Sequence, residues 1–199
     1  MSAMFLSGKR KVSVTINNPK MNNQEKYNIA YRMTSRASTG LSFIEDYLSE
    51  HPSTDPAYLR SIYILLSYNA ELILKSRVVM KDNFLNKDKV DKKLKALLHN
   101  IEKIGEDIGN IELLKLGINT ITKNGNRYIL TITGDKEIYI EDFADIRYDF
   151  IEGKIRTIDD QEHERIKGYV DQLLSILQKA KKENEFKKND KEISSLSKD

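Results

Sequence analysis

The chain has 199 residues, no cysteine and no tryptophan, and 33 basic against 30 acidic side chains for a net charge of +3. That length and a hydrophobic share of 39% suit one helical domain with tails rather than two domains. Without cysteine there is no disulfide frame, no thiolate nucleophile and no Cys-held zinc, which fits a reducing, cytoplasmic compartment.

Residues 1–24 read as a flexible basic arm. Lys9, Arg10, Lys11 and Lys20 are unopposed by any acid there, so the rest of the chain sums to about −1. Val12, Val14 and Ile16 alternate with polar residues and allow a short strand, while Asn17, Asn18 and Pro19 signal a turn. The first residues are too short and broken to read as a secretory signal, and no run of about 18 apolar residues predicts a membrane span.

A first helix is predicted over Gln24–Ser49, with Tyr27, Tyr31, Thr34, Leu41, Ile44 and Leu48 on its apolar face and Gly40 as a point of bending. His51-Pro52 to Asp55-Pro56 ends it. Asp55 then caps a second helix whose first position is Pro56. Leu59, Ile62, Tyr63, Leu66, Ala70, Ile73 and Leu74 make that segment apolar nearly all round, which predicts a place at the centre of the bundle.

A third helix is predicted from Asp88 to the terminator Gly109, carrying Val90, Leu94, Leu97, Leu98, Ile101, Ile104 and Ile108, with a short helical piece at Ile111–Leu116. The period then switches from helix to strand. Ile118–Thr122, Tyr128–Thr133 and Glu137–Ile140, joined by Asn124-Gly125 and Gly134-Asp135, predict a small three-stranded β-meander inserted around 118–140. A short element at 142–148 leads to a last helix from near Asp159, capped by Thr157 or Asp159, with Ile166, Tyr169, Val170, Leu173, Leu174, Ile176 and Leu177 inward. Residues 25–180 thus form a mainly α, antiparallel helical bundle, and 181–199 read as a disordered charged tail.

Four segments, in order over roughly residues 27–180, resemble the HEPN superfamily of small helical bundles. Glu71 and Lys75 stand four apart among apolar residues of the second helix. Leu97-Leu98-His99-Asn100-Ile101 is similar to the family's Gly-His-Asp/Asn-Leu signature, with Leu98 in the glycine's place. Ile146-Arg147-Tyr148 is similar to the Arg-Tyr before the last helix, and 162–179 to that helix itself. The resemblance implies work on RNA or nucleotides, often in toxin–antitoxin or defence systems, by a homodimer. Catalytic members are metal-independent ribonucleases with an Arg, four to six residues, then a His.

Arg156 and His163 match that spacing: arginine would hold the scissile phosphate while histidine transfers a proton. Chance supplies such spacings readily in a chain with three histidines. His99 is either a ligand-facing residue, with Lys95, Asn100 and Arg147, or a histidine hydrogen-bonded to a neighbouring helix. Glu71 and Lys75 form either a surface ion pair or a buried orienting pair. Arg147-Tyr148 either clamps a phosphate and stacks a base or anchors the bundle end. No three-ligand metal set and no phosphate-cradling glycine loop is present, so neither metal nor cofactor is expected. Two functions are therefore weighed: an RNA- or nucleotide-binding module, enzymatic if Arg156 and His163 act, and a non-enzymatic bundle that binds a protein partner.

Overall fold

A helix that is apolar on every side must be covered on every side, and the architecture follows from that demand. In the computed structural model the backbone is described over residues 20–51, 56–123, 126–133, 136–140 and 162–196, and side chains over 20–51, 58–119 and 163–189. Helix α2 (Pro56–Lys81) is buried at every residue from 69 to 80. Around it pack α1 (Asn23–Glu50), α4 (Ile101–Ile108) and α6 (Glu162–Leu196), while α3 (Lys87–Ala96) precedes α4 in the chain and α5 (Asn110–Leu116) packs against α4 and α6. The chain is mainly helical, and among the described residues no helix is long and apolar enough to cross a membrane.

Local chemistry sets the helix ends. Asn22 caps α1 in a reciprocal box: its side chain accepts from Glu25 N at 2.8 Å, and Glu25 accepts from Asn22 N at 3.0 Å. Met21 is buried and its N–H donates to Phe84 O at 2.9 Å, so the chain is already fixed where a flexible arm was expected. Lys9, Arg10 and Lys11, the short strand near Val12, the caps Asp55, Thr157 and Asp159, and the element at 142–148 lie outside the described residues.

Thr34, Leu41, Ile44 and Leu48 face inward on α1 as expected, but the first two residues of the predicted face, Tyr27 and Tyr31, do not. The buried residues of the helix are Lys26, Ala30, Thr34, Ala37, Leu41, Ile44 and Leu48, stepping three or four apart, whereas Tyr31 is 55% exposed and Tyr27 lies at the edge. Small residues win the interface because α1 and α2 approach closely. A Cβ on Gly40 would come within 2.5 Å of the buried Asn69 Oδ1. Gly40 therefore permits packing rather than bending, and α1 runs through it unbroken.

Two further expectations are corrected. The single helix predicted over Asp88–Gly109 is split into α3 and α4, because Leu98 turns left-handed (φ 51°) and Asn100 starts a new helix by accepting from Lys103 N at 2.6 Å. Gly109 (φ 84°) ends α4 as expected from its freedom at positive φ. The charged stretch beyond Lys181, read as a disordered tail, continues α6 to Leu196, with Asn184 only 2% exposed.

After Gly117 the backbone runs in three strands, β1 (Ile118–Lys123), β2 (Asn126–Thr133) and β3 (Lys136–Ile140), in the order β1-β2-β3. Both pairings are antiparallel, with Ile118 opposite Thr131 and Ile129 opposite Ile140. Ile118 is fully buried and joins the main core with Leu113 and Leu116 of α5.

Two glycine substitutions test the close approach of α1 and α2. Gly40→Ala is expected to lower stability by about 1 kcal/mol, since overpacking (about 1–3 kcal/mol) exceeds the gain in helix propensity (about 1 kcal/mol). Gly168→Ala on α6, where an added Cβ meets nothing within 4 Å, should gain about 0.5–1 kcal/mol. Urea unfolding of both variants checks this; a Gly40→Ala protein as stable as the parent would contradict the packing.

Candidate functional site

The buried stretch of α2 is not purely apolar: it carries Asn69, Glu71, Lys75, Ser76 and Arg77, all under 9% exposed. A buried charge costs several kcal/mol unless it is paired and hydrogen-bonded. Their partners therefore show what α2 is built to hold.

Glu71 is the centre of one cluster. Its side chain is 4% exposed, and its Oε1 accepts from Lys75 Nζ at 2.8 Å one turn along α2. Its Oε2 lies 2.9 Å from His99 Nδ1. Lys75 Nζ also donates to Leu98 O at 2.5 Å, so both Glu71 and Lys75 reach the turn between α3 and α4. That turn is where Leu98 takes its left-handed conformation. An ionised carboxylate only accepts, so this contact places a proton on Nδ1 and sets the tautomer and the plane of the ring. The His99 side chain is 52% exposed, and its Nδ1 edge is held by a buried carboxylate. Chemically this is an oriented imidazole at a surface, suited to proton transfer or to hydrogen bonding with a phosphate oxygen.

The other predicted residues distribute differently. Lys95 is 76% exposed on its side chain and pairs with Asp91 at 2.7 Å; that hydrogen bond raises its pKa, and the cation is engaged on its own helix. Asn100 spends its side-chain oxygen on the cap of α4. Arg147, Tyr148 and Arg156 lie outside the described residues. His163 stands in the first turn described for α6, and both its ring nitrogens are buried without a hydrogen-bond partner among the described residues. Of the predicted set, His99 is thus the residue that the described chain holds in a defined geometry, and it does so through Glu71 and Lys75. No group of three metal-ligating side chains occurs among the described residues.

A second ionic cluster escaped the sequence reading. Arg77, 1% exposed, donates through Nη1 to Asn184 Oδ1 at 2.7 Å and through Nη2 to Glu112 Oε2 at 2.5 Å. Asn184 Nδ2 donates in turn to Ser76 Oγ at 3.3 Å. One arginine thereby ties α2 to α5 and α6. Lys115 and Lys187 also bond Glu112, at 2.9 and 3.2 Å. Burial pushes the Glu112 carboxyl up, but hydrogen bonds from Lys115, Lys187 and Arg77 outweigh it and hold the pKa down at about 2. The available signal was an arginine between an apolar triplet and an apolar pair, Leu72-Ile73-Leu74 before it and Val78-Val79 after it. Its partner Asn184 sits in a polar stretch that gives no hint of burial. A third cluster lies nearby: Lys93 joins Asp107 and Asp82, and burial together with Asp107 raises the Asp82 pKa.

The Glu112 cluster predicts acid sensitivity of known sign. Its folded pKa is depressed, so its contribution is complete above about pH 4.5 and fades as pH falls towards about 2. Glu112→Gln should therefore be less stable than the parent at pH 7, and the gap should narrow below about pH 4. Thermal unfolding across pH reads this out; an equal gap at pH 7 and pH 3 would contradict it.

No protein-family model matches the chain, and neither the curated proteins nor the solved structures give a match.

Proposed function

We propose that this protein is a HEPN-like RNA- or nucleotide-binding module whose working residue is His99, positioned by Glu71 and Lys75. The observation that carries the reading is the join between two motif segments. The Glu-Lys pair of the second helix and the histidine of the third segment are far apart in sequence yet share one carboxylate, at 2.8 and 2.9 Å. A further detail supports it. Leu98 stands in the glycine's place of the His signature, and its φ of 51° is a conformation that glycine adopts without strain. The architectural part of the proposal is an antiparallel bundle of the HEPN type carrying the strands of 118–140 as an inserted meander, and acting as a homodimer in the cytoplasm.

Within this reading the imidazole of His99 contacts a phosphate, or moves a proton beside one, while Glu71 fixes its tautomer. Lys75 keeps the buried carboxylate compensated and ties it to the α3–α4 turn. A ribonuclease version would add Arg156 and His163 as the phosphate clamp and the proton carrier, with Arg147 and Tyr148 binding RNA. It needs no metal.

A non-enzymatic reading, in which the bundle binds a protein partner, has one observation in its favour. Ile111 and Leu114 lie one turn apart on α5 and are 76% and 58% exposed. They form a small apolar stripe rather than a large patch.

Filter binding to single-stranded RNA at two salt concentrations separates the two. The RNA reading predicts binding that weakens as salt rises, at least about fivefold weaker for His99→Ala (loss of one charge-assisted or neutral hydrogen bond, about 1–2 kcal/mol). Loss of RNA cleavage in His163→Ala would support the ribonuclease version. Salt-insensitive or absent RNA binding, with His99→Ala indistinguishable from the parent, would leave the protein-binding reading standing.

A further inference from the structure

Tyr27 and Tyr31 stand off the buried face of α1, and they line a groove. The groove runs between α1 and α6, holds about 310 Å³, and lies apart from the helix turn that presents His99. That volume is near the lower end for small-molecule sites, which span about 300–1,000 Å³. Tyr27 and Tyr31 stand on one side with ring centroids 6.1 Å apart, and Ser35 and Ser38 continue the same wall one and two turns on. Lys181 and Glu185 face them from α6.

The charges in this groove are arranged for a polar ligand with one anionic end. Lys181 is partly buried, and its one hydrogen bond among the described residues is a long one, 3.4 Å to Ser38 Oγ. No carboxylate among the described residues lies within ion-pair reach of it. A lysine held in a groove beside hydroxyl groups, with donor capacity to spare, is suited to a phosphoryl group. One turn further along α6, Glu185 accepts from Tyr27 O–H at 3.3 Å and keeps acceptor capacity for hydroxyl or amino groups. Tyr31, more than half exposed, offers a ring face at the rim. Lys188 lies 5.0 Å from the Tyr27 ring centre and adds a second positive charge at that end.

We infer that this groove binds a nucleoside monophosphate, either free or as the phosphorylated end of an RNA strand. Lys181 and Ser38 hold the phosphate, Glu185 takes hydrogen bonds from the sugar or the base, and Tyr31 stacks on the base. The inference does not rest on the His99 reading, because none of these residues belongs to that site. Tyr31 lies on α1 between Ser38, which meets Lys181, and Tyr27, which meets Glu185, so the aromatic face stands between the anion site and the acceptor.

Isothermal titration of the full chain with adenosine monophosphate tests it, with adenosine and inorganic phosphate as partial ligands. Saturable binding below about 1 mM is expected for the monophosphate, and weaker binding for each part alone. Lys181→Gln should weaken it about tenfold or more, and Tyr31→Ala severalfold, while Lys167→Gln, on an exposed part of α6, should not. Circular dichroism confirms that each variant keeps its helices. A 5′-phosphorylated RNA oligonucleotide compared with its 5′-hydroxyl counterpart separates the two sources: preference for the phosphorylated strand assigns the site to RNA ends, and binding of the mononucleotide alone assigns it to free nucleotides. No saturable binding of either ligand, or binding unchanged in Lys181→Gln, would overturn the inference.

Discussion

A carboxylate withdrawn from water must be compensated, and Glu71 meets that requirement with both of its oxygens. One takes the Lys75 ammonium and the other takes His99. Removing Lys75 would leave a nearly inaccessible charge without its counter-ion, a situation that typically costs about 3–5 kcal/mol. The turn after α3 is therefore not free to drift. Its backbone is held through Leu98 O and its imidazole through Nδ1, both from the same helix. This constraint is what makes a half-exposed histidine a candidate for chemistry rather than a mobile surface group.

The same logic is repeated two residues further along α2. Arg77 and Lys75 stand on different sides of a helix that is covered all round, and each reaches a different neighbour. Lys75 goes to the α3–α4 turn, and Arg77 goes to α5 and α6. A purely apolar α2 would pack as tightly, but it would say little about the rotation of its neighbours. Buried polar contacts that must be matched exclude most alternative rotations. The helices around α2 are thus set by ionic geometry as well as by volume, and the positions of His99 and of the α1–α6 groove follow.

Much of this was legible in the residues. The apolar periodicity located α1 to within a residue at each end, and Pro56 and Gly109 mark the start of α2 and the end of α4 where their backbone preferences require them. What was not legible shares one physical cause, competition between local pattern and tertiary contact. The run from Val90 to Ile108 keeps helical spacing across Leu98, yet Lys75 captures a carbonyl there and Asn100 offers a rival cap. Tyr27 and Tyr31 look like core residues by hydropathy, but the close contact at Gly40 selects the alanine face instead. Residues 181–189 look solvated by composition, and only Arg77, distant in sequence, gives Asn184 a reason to be buried. Glu71 and Lys75 read as a pair four residues apart and His99 stands alone in the sequence; their meeting is a property of the fold, since no spacing rule links residues in different helices.

The most direct test of the account is a double-mutant cycle on Glu71 and His99, using Glu71→Gln, His99→Gln and the pair, read by equilibrium unfolding at pH 7. If the buried carboxylate holds the imidazole, the two changes should be coupled by about 1 kcal/mol or more, within the range seen for residues in contact. Additive effects would mean that His99 is not held by Glu71, and the site built on that contact would have no support.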